Sequence, residues 1–191
     1  RRYYFNIVGK YGAPVQTLLK KAAGLDIKTI CPLHGPILKE NLDFYIGKYL
    51  TWSSYEPEDD GVLVACASIH GNTKAAAEKM VDILKENGFA KVAFTDLTRD
   101  DMAEAVEDAF RYGKLVLATI TYNADIFPFM KTYIDHLTER SYQNRTIGLI
   151  ENGSWAPNAA KVMQAKFEKS KSRSWLCMEM TCSAKSSSFV V

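Results

Sequence analysis

The stretch Val62-Leu-Val-Ala-Cys-Ala67, followed at once by Ser68-Ile-His-Gly-Asn-Thr73, decides how this chain is read. Six apolar residues without alternation read as a strand buried on both faces, the habit of a parallel sheet. A helical pattern then runs from Thr73 to Glu86. A strand that delivers hydroxyls, a glycine and free backbone N–H groups to a helix N-terminus makes an anion socket. The spacing fits neither a Walker loop nor a dinucleotide G-x-G-x-x-G turn. Ser68, Ile69, His70, Gly71, Asn72 and Thr73 form this loop, with neutral donors and no P-loop lysine. That suits a phosphomonoester held by other contacts as well. The plainer alternative is an ordinary turn in which Asn72 or Thr73 caps the helix.

Outward from this loop, strand and helix alternate regularly. Strands are expected at Val62–Ala67, Lys91–Thr95, Leu115–Thr119, Thr146–Ile150 and Trp175–Met180. Helices are expected at Thr73–Glu86, Arg99–Arg111, Phe127–Glu139 and Asn158–Lys169, with Gly88 and Gly113 as C′ residues closing the first two. Five apolar strands separated by four helices specify an α/β, doubly wound, five-stranded parallel sheet. The flavodoxin-like strand order 2-1-3-4-5 is the natural candidate, with ligands at the carboxyl ends of strands 1, 3 and 4. Upstream, Pro14–Ala23 reads as a helix, Ile27–Ile30 as a strand and Asn41–Trp52 as an aromatic-rich helix. The polar stretch 53–60 has the character of a linker, which divides the chain into residues 1–52 and 61–191. The opening at Arg1 reads as the interior of something longer, and the tail from Ser183 is low in complexity.

The expected topology demands unusual residues after strands 1, 3 and 4. Strand 3 is followed by Thr121-Tyr-Asn-Ala-Asp-Ile-Phe-Pro128 and strand 4 by Glu151-Asn-Gly-Ser-Trp-Ala-Pro157. Thr121, Tyr122, Asn123 and Ala124 form one candidate wall; Asn152, Gly153, Ser154 and Trp155 form the other. Tyr122 and Trp155 are candidates to stack on a flat ring, and Gly153 is a place where backbone approaches a ligand. Each aromatic, taken alone, is equally a half-buried surface residue.

The chain has 191 residues, 47% of them hydrophobic, and a net charge of +2 with both signs mixed along its length. Nothing in that balance calls for nucleic acid or an anionic membrane. The apolar runs are of strand length, far short of a membrane span. The four cysteines, Cys31, Cys66, Cys177 and Cys182, have neither C-x-x-C nor zinc spacing, and Cys66 and Cys177 fit inert core thiols. A reducing, cytoplasmic setting is expected.

The loop at 68–73 resembles the FMN phosphate loop of flavodoxins, S/T-x-T/S-G-N-T. The run Trp52-Ser-Ser-Tyr-Glu-Pro57, the strand and loop at 62–73, and Thr121-Tyr-Asn with Ile126-Phe-Pro128 are together similar to the flavodiiron proteins. Those join a metallo-β-lactamase-like di-iron domain to a flavodoxin-like FMN domain. The resemblance implies that residues 1–52 are the tail of the first and 61–191 the second. It implies an oxidoreductase that passes electrons from rubredoxin or a flavin reductase, through FMN, to a di-iron centre that reduces O2 or NO, in a homodimer. It also implies that His34, in Cys31-Pro-Leu-His-Gly-Pro36, is an iron ligand of the intact protein. His70 and His136 lie in no ligand-like pattern, so the fragment alone is expected to be metal-free.

Two departures stand out. The family commonly has Gly-Gly where this chain has Ala124-Asp125, and G-S-Y/F-G-W where it has the 151–155 run. Asp125 and Glu151 beside a flavin would lower its reduction potential, or else they point to solvent. Two rival readings share the fold: a flavodoxin-like NAD(P)H:quinone reductase, which leaves His34 unexplained, and a binding module that has lost its flavin.

Overall fold

A computed structural model describes residues 1–153, 156–168 and 174–179. Two short helical turns, Tyr4–Val8 and Gly9–Tyr11, lead into α1 (Gly12–Ala22) and α2 (Leu42–Ser53). Then follow β1 (Asp59–Cys66), α3 (Asn72–Glu86), β2 (Val92–Asp96), α4 (Met102–Arg111), β3 (Tyr112–Tyr122) and β4 (Asp125–Ile126). The chain continues through α5 (Pro128–Glu139), β5 (Thr146–Asn152), α6 (Ala159–Glu168) and β6 (Ser174–Glu179).

The sheet runs β2-β1-β3-β5-β6, all parallel, with β4 folded back antiparallel on β3. With β4 set aside, this is the flavodoxin-like order 2-1-3-4-5. The apolar run of β1 serves both faces: Leu63 and Ala65 join one core, Val62, Val64 and Cys66 the other. α3 covers the second face through Ala77, Met80 and Val81, while α4, α5 and α6 cover the first. Cys66 is fully buried and its thiol is pushed up to about 12 by burial, as an inert core thiol should be.

Several expected boundaries move for local reasons. α4 starts at Met102 because the Asp101 carboxylate accepts the Ala103 N–H at 2.7 Å. Gly88 ends α3 at φ 88°, as expected of a C′ glycine. Gly113 has no such part: Tyr112 is already extended at φ −92°, so α4 passes straight into β3 and Gly113 is a strand residue. The strand expected at Ile27–Ile30 is reduced to a single bridge, Ile30 to Leu38. The turn between those two residues holds Pro32 and Pro36, which have no N–H to extend a ladder.

The N-terminal turns belong to the same core as the sheet. Phe5 stacks on Phe110 of α4 with ring centroids 4.2 Å apart, and Arg1 and Arg2 bridge to Glu107. Residues 53–60 are tightly held. The nearly buried Glu58 carboxylate takes Arg1 Nε at 2.6 Å, Lys48 Nζ at 2.6 Å and the Trp52 indole N–H at 2.8 Å. Arg145, buried, donates to the carbonyls of Tyr55 at 2.5 Å, Phe110 at 2.6 Å and Tyr112 at 2.8 Å. It also reaches those of Gln143 and Asn144, both at 3.1 Å. One guanidinium thus ties the 53–60 stretch to the ends of α4 and β5.

Replacing Arg145 with Met strands several buried carbonyls and should destabilise the protein by about 3 kcal/mol in urea unfolding. Acid should act through the carboxylates. Hydrogen bonds from Lys91 and Arg111 bring Asp59 from 3.8 to about 2. Burial works against Glu58, but Lys48, Trp52 and Arg1 outweigh it and leave it below its ordinary 4.5. Depressed folded values mean that this stability is present above the unfolded values and lost as pH falls from about 4 toward 2. Urea midpoints should drop over that window, and more steeply in the native chain than in Glu58→Gln.

Candidate functional site

The carboxyl ends of β1, β3 and β5 lie side by side, so the three loops meet at one edge of the sheet. After β1, Gly71 occupies the N-cap of α3 at φ 90°, and an added Cβ there would meet nothing within 4 Å. No side chain caps the helix. The expected alternative, a turn capped by Asn72 or Thr73, is therefore not what forms: both residues lie inside the first turn. The Ser68 hydroxyl accepts the Gly71 N–H at 3.1 Å and shapes the loop, while His70 stays exposed. The first-turn amides of α3 are left to face a ligand or water.

Thr73 is 2% exposed, and its hydroxyl takes the Asn152 amide N–H at 3.3 Å, which joins the β1 loop to the β5 loop. Lys74, in the same turn, is bound to Asp96 at the end of β2, 3.2 Å away. Burial opposes the Asp96 charge, but the Thr98 hydroxyl and N–H and the Lys74 ammonium outweigh it and hold this carboxyl below its usual range. The lysine of this turn is thus already engaged, and neutral donors remain.

The β3 loop is a two-residue hairpin. Tyr122 pairs with Asp125, and Asn123 and Ala124 sit between them at φ 51° and 58°. Both positive angles are those of a type I′ turn, which follows the twist of the flanking strands. Asn tolerates this region; Ala does so at some strain. Tyr122 is 44% exposed and meets Phe127 edge-on at 5.5 Å.

Thr121 turns out to be a capping residue. Its hydroxyl oxygen accepts the N–H groups of Asn158 at 2.9 Å and Ala159 at 3.2 Å, at the start of α6. The Asn158 amide in turn reaches the Ala124 carbonyl at 3.5 Å, so the β3 and β5 loops are also joined. Glu151 completes the cap by accepting the Ala160 N–H at 2.9 Å. The suggestion that Asp125 and Glu151 point to solvent fails for Glu151, which is 4% exposed because its carboxylate is drawn to the amides of α6. Asp125 is half-exposed and paired with Lys131; that bond, with its contact to the Ile126 N–H, keeps its carboxyl below the usual range.

Gly153 has a packing reason beyond ligand approach. A Cβ there would stand 3.2 Å from the Thr121 hydroxyl and 3.3 Å from Pro157. Ser154 and Trp155 lie outside the described residues. Ile69, on the β1 loop, is 40% exposed at the rim. His34 stands apart from the three loops on an exposed turn, its ring 5.5 Å from that of Tyr3. Among the described residues no group of three His, Cys, Asp or Glu side chains is placed to hold a metal ion. Nor, among them, is any helix long and apolar enough to cross a membrane. The double duty of Thr121 and Glu151 as caps was invisible in the sequence, since their partners lie 37 and 9 residues away.

Ala124→Gly should relieve the backbone at φ 58° and stabilise the protein by about 1 kcal/mol, read as a raised urea midpoint at unchanged slope.

No protein-family model matches this sequence. Anaerobic nitric oxide reductase flavorubredoxin of Klebsiella pneumoniae is 22% identical over 171 residues, which cover 88% of this chain and 35% of that protein. A mutant flavo-diiron protein of Thermotoga maritima superposes with a TM-score of 0.85 at 24% identity, over 99% of this chain and 47% of the other. Rubredoxin oxygen:oxidoreductase of Desulfovibrio gigas gives a TM-score of 0.83 at 19% identity, over 95% of this chain and 46% of the other. The chain spans about a third of the length of the curated relatives it matches. Over nearly its whole length, then, it is similar to flavodiiron proteins and flavorubredoxins, and it carries their flavodoxin-like fold.

Proposed function

We propose that this chain is an FMN-binding electron-transfer unit of a flavodiiron-type oxidoreductase. The observation that carries the reading is the uncapped first turn of α3, opened by Gly71 and sited at the sheet edge where the three loops meet. In this reading residues 61–191 form the flavin unit, 53–60 join it to what precedes, and 1–52 are the tail of a metallo-β-lactamase-like domain.

FMN fits the residues present. The N–H groups at Asn72 and Thr73, with the hydroxyls of Ser68 and Thr73, are donors for a phosphate, while Ile69, His70 and Gly71 shape the loop around it. Tyr122 and Trp155 are assigned to the ring faces, and Thr121, Asn123, Ala124, Asn152, Gly153 and Ser154 to its edges. When bound, FMN supplies the chemistry of accepting and releasing electrons. The chain's part is to bind and orient it: Thr73 and Asn152 fix the phosphate side, and Thr121 and Asn158 hold the other two loops together. The α6 amides are filled by Thr121 and Glu151, whereas those of the first turn of α3, beside the Ser68 and Thr73 hydroxyls, have no side-chain cap, in keeping with a phosphate there.

A di-iron centre does not fit the described residues by themselves. His34 is proposed as one ligand of an iron site completed by other parts of an intact protein. That protein would reduce O2 or NO, take electrons from rubredoxin or a flavin reductase, and work as a homodimer in the cytoplasm.

Incubation of the purified chain with FMN, followed by removal of free flavin, should leave a yellow protein with quenched flavin fluorescence. A colourless product would overturn the reading. Thr73→Val should weaken FMN binding about tenfold, the scale of one hydrogen bond to a charged group, and riboflavin binding far less. Equal losses for both ligands would remove Thr73 from the phosphate site.

A further inference from the structure

We infer that Glu151 lowers the reduction potential of the bound flavin, acting as a buried charge behind the third loop; this rests on the FMN reading above. Glu151 is the penultimate residue of β5, in register with Thr119 of β3 and one residue before the Asn152 that reaches Thr73. It is 4% exposed, and among the described residues it forms no salt bridge. The other carboxylates around these loops are compensated, Asp125 by Lys131 and Asp96 by Lys74.

The partner of Glu151 is the Ala160 N–H of α6, whose preceding amides, Asn158 and Ala159, are taken by Thr121. A helix N-terminus carries roughly half a positive charge, so it offsets about half of a carboxylate. What remains is net negative charge at the loop end of β5. Buried in this way, it is screened little by water or salt. A flavin that takes up two electrons and one proton gains a negative charge, so the field of Glu151 disfavours the reduced form more than the oxidised one. Thr121 shares the cap without the charge and acts differently, by positioning the loop through Asn158 and Ala159.

Anaerobic titration of the full chain with oxidised FMN and with dithionite-reduced FMN separates these effects. Glu151→Gln keeps an acceptor oxygen for Ala160. It should leave the affinity for oxidised FMN within about twofold and tighten binding of the reduced form about tenfold. For a two-electron couple that ratio equals a rise of about 30 mV. Glu151→Met, uncharged and of similar length, should change the ratio in the same direction, and Glu151→Asp should keep it. Thr121→Val should weaken both redox forms equally, and Thr121→Ser should restore them. An unchanged ratio in both uncharged variants would overturn the inference while leaving the flavin site standing. Failure of the native chain to bind either form of FMN would remove the flavin reading and this inference together.

Discussion

A sheet covered on both faces cannot hold polar chemistry in its interior, and that constraint orders everything else in this molecule. From Val62 to Cys66 each side chain of β1 is buried in one core or the other. Groups able to bind an anion or an aromatic ring are therefore expelled to the strand ends, where β1, β3 and β5 stop side by side. The parallel register then decides which loops meet. Cys66 aligns with Ala118, and Ala118 with Ile150, so the three loops leave the sheet from a common line.

At that line two helix N-termini receive opposite treatment. α3 begins at a glycine with no side chain folded over its amides, whereas α6 begins beneath a threonine from β3 and a glutamate from β5. An exposed and a filled N-terminus, a few residues from the same strand ends, make the edge polar on one side and self-satisfied on the other. The hydrogen bonds that fill α6 also fasten the loops to one another, which makes the site a continuous rim rather than three independent turns.

Much of this was legible in the chain. The unbroken apolar runs and their helical spacers gave away the doubly wound sheet, because burial on two faces leaves no room for alternation. The glycine at position 71 was legible as punctuation, though its place at the cap itself, in preference to Asn72, depends on a backbone angle that sequence does not state. Long-range pairings were not legible. Nothing near Glu151 says that its carboxylate will meet an amide nine residues on, and the same holds for Arg145, whose distant acceptors are the carbonyls of Tyr55, Phe110 and Tyr112. Ile27–Ile30 misled for a related reason: a strand needs a partner, and β-branched residues alone do not provide one.

The two clasps on the 53–60 stretch differ in kind. Arg145 grips backbone carbonyls, which do not titrate, while Glu58 is gripped through a carboxylate, which does. Strong acid, below the ordinary carboxylate range, therefore loosens one side of this junction and leaves the other shut. The N-terminal turns stay seated through Phe5 on Phe110 and the Arg140 bonds to the Asn6 carbonyl, neither of which titrates, so acid slackens the seam without parting it and the whole molecule stands or falls as one body.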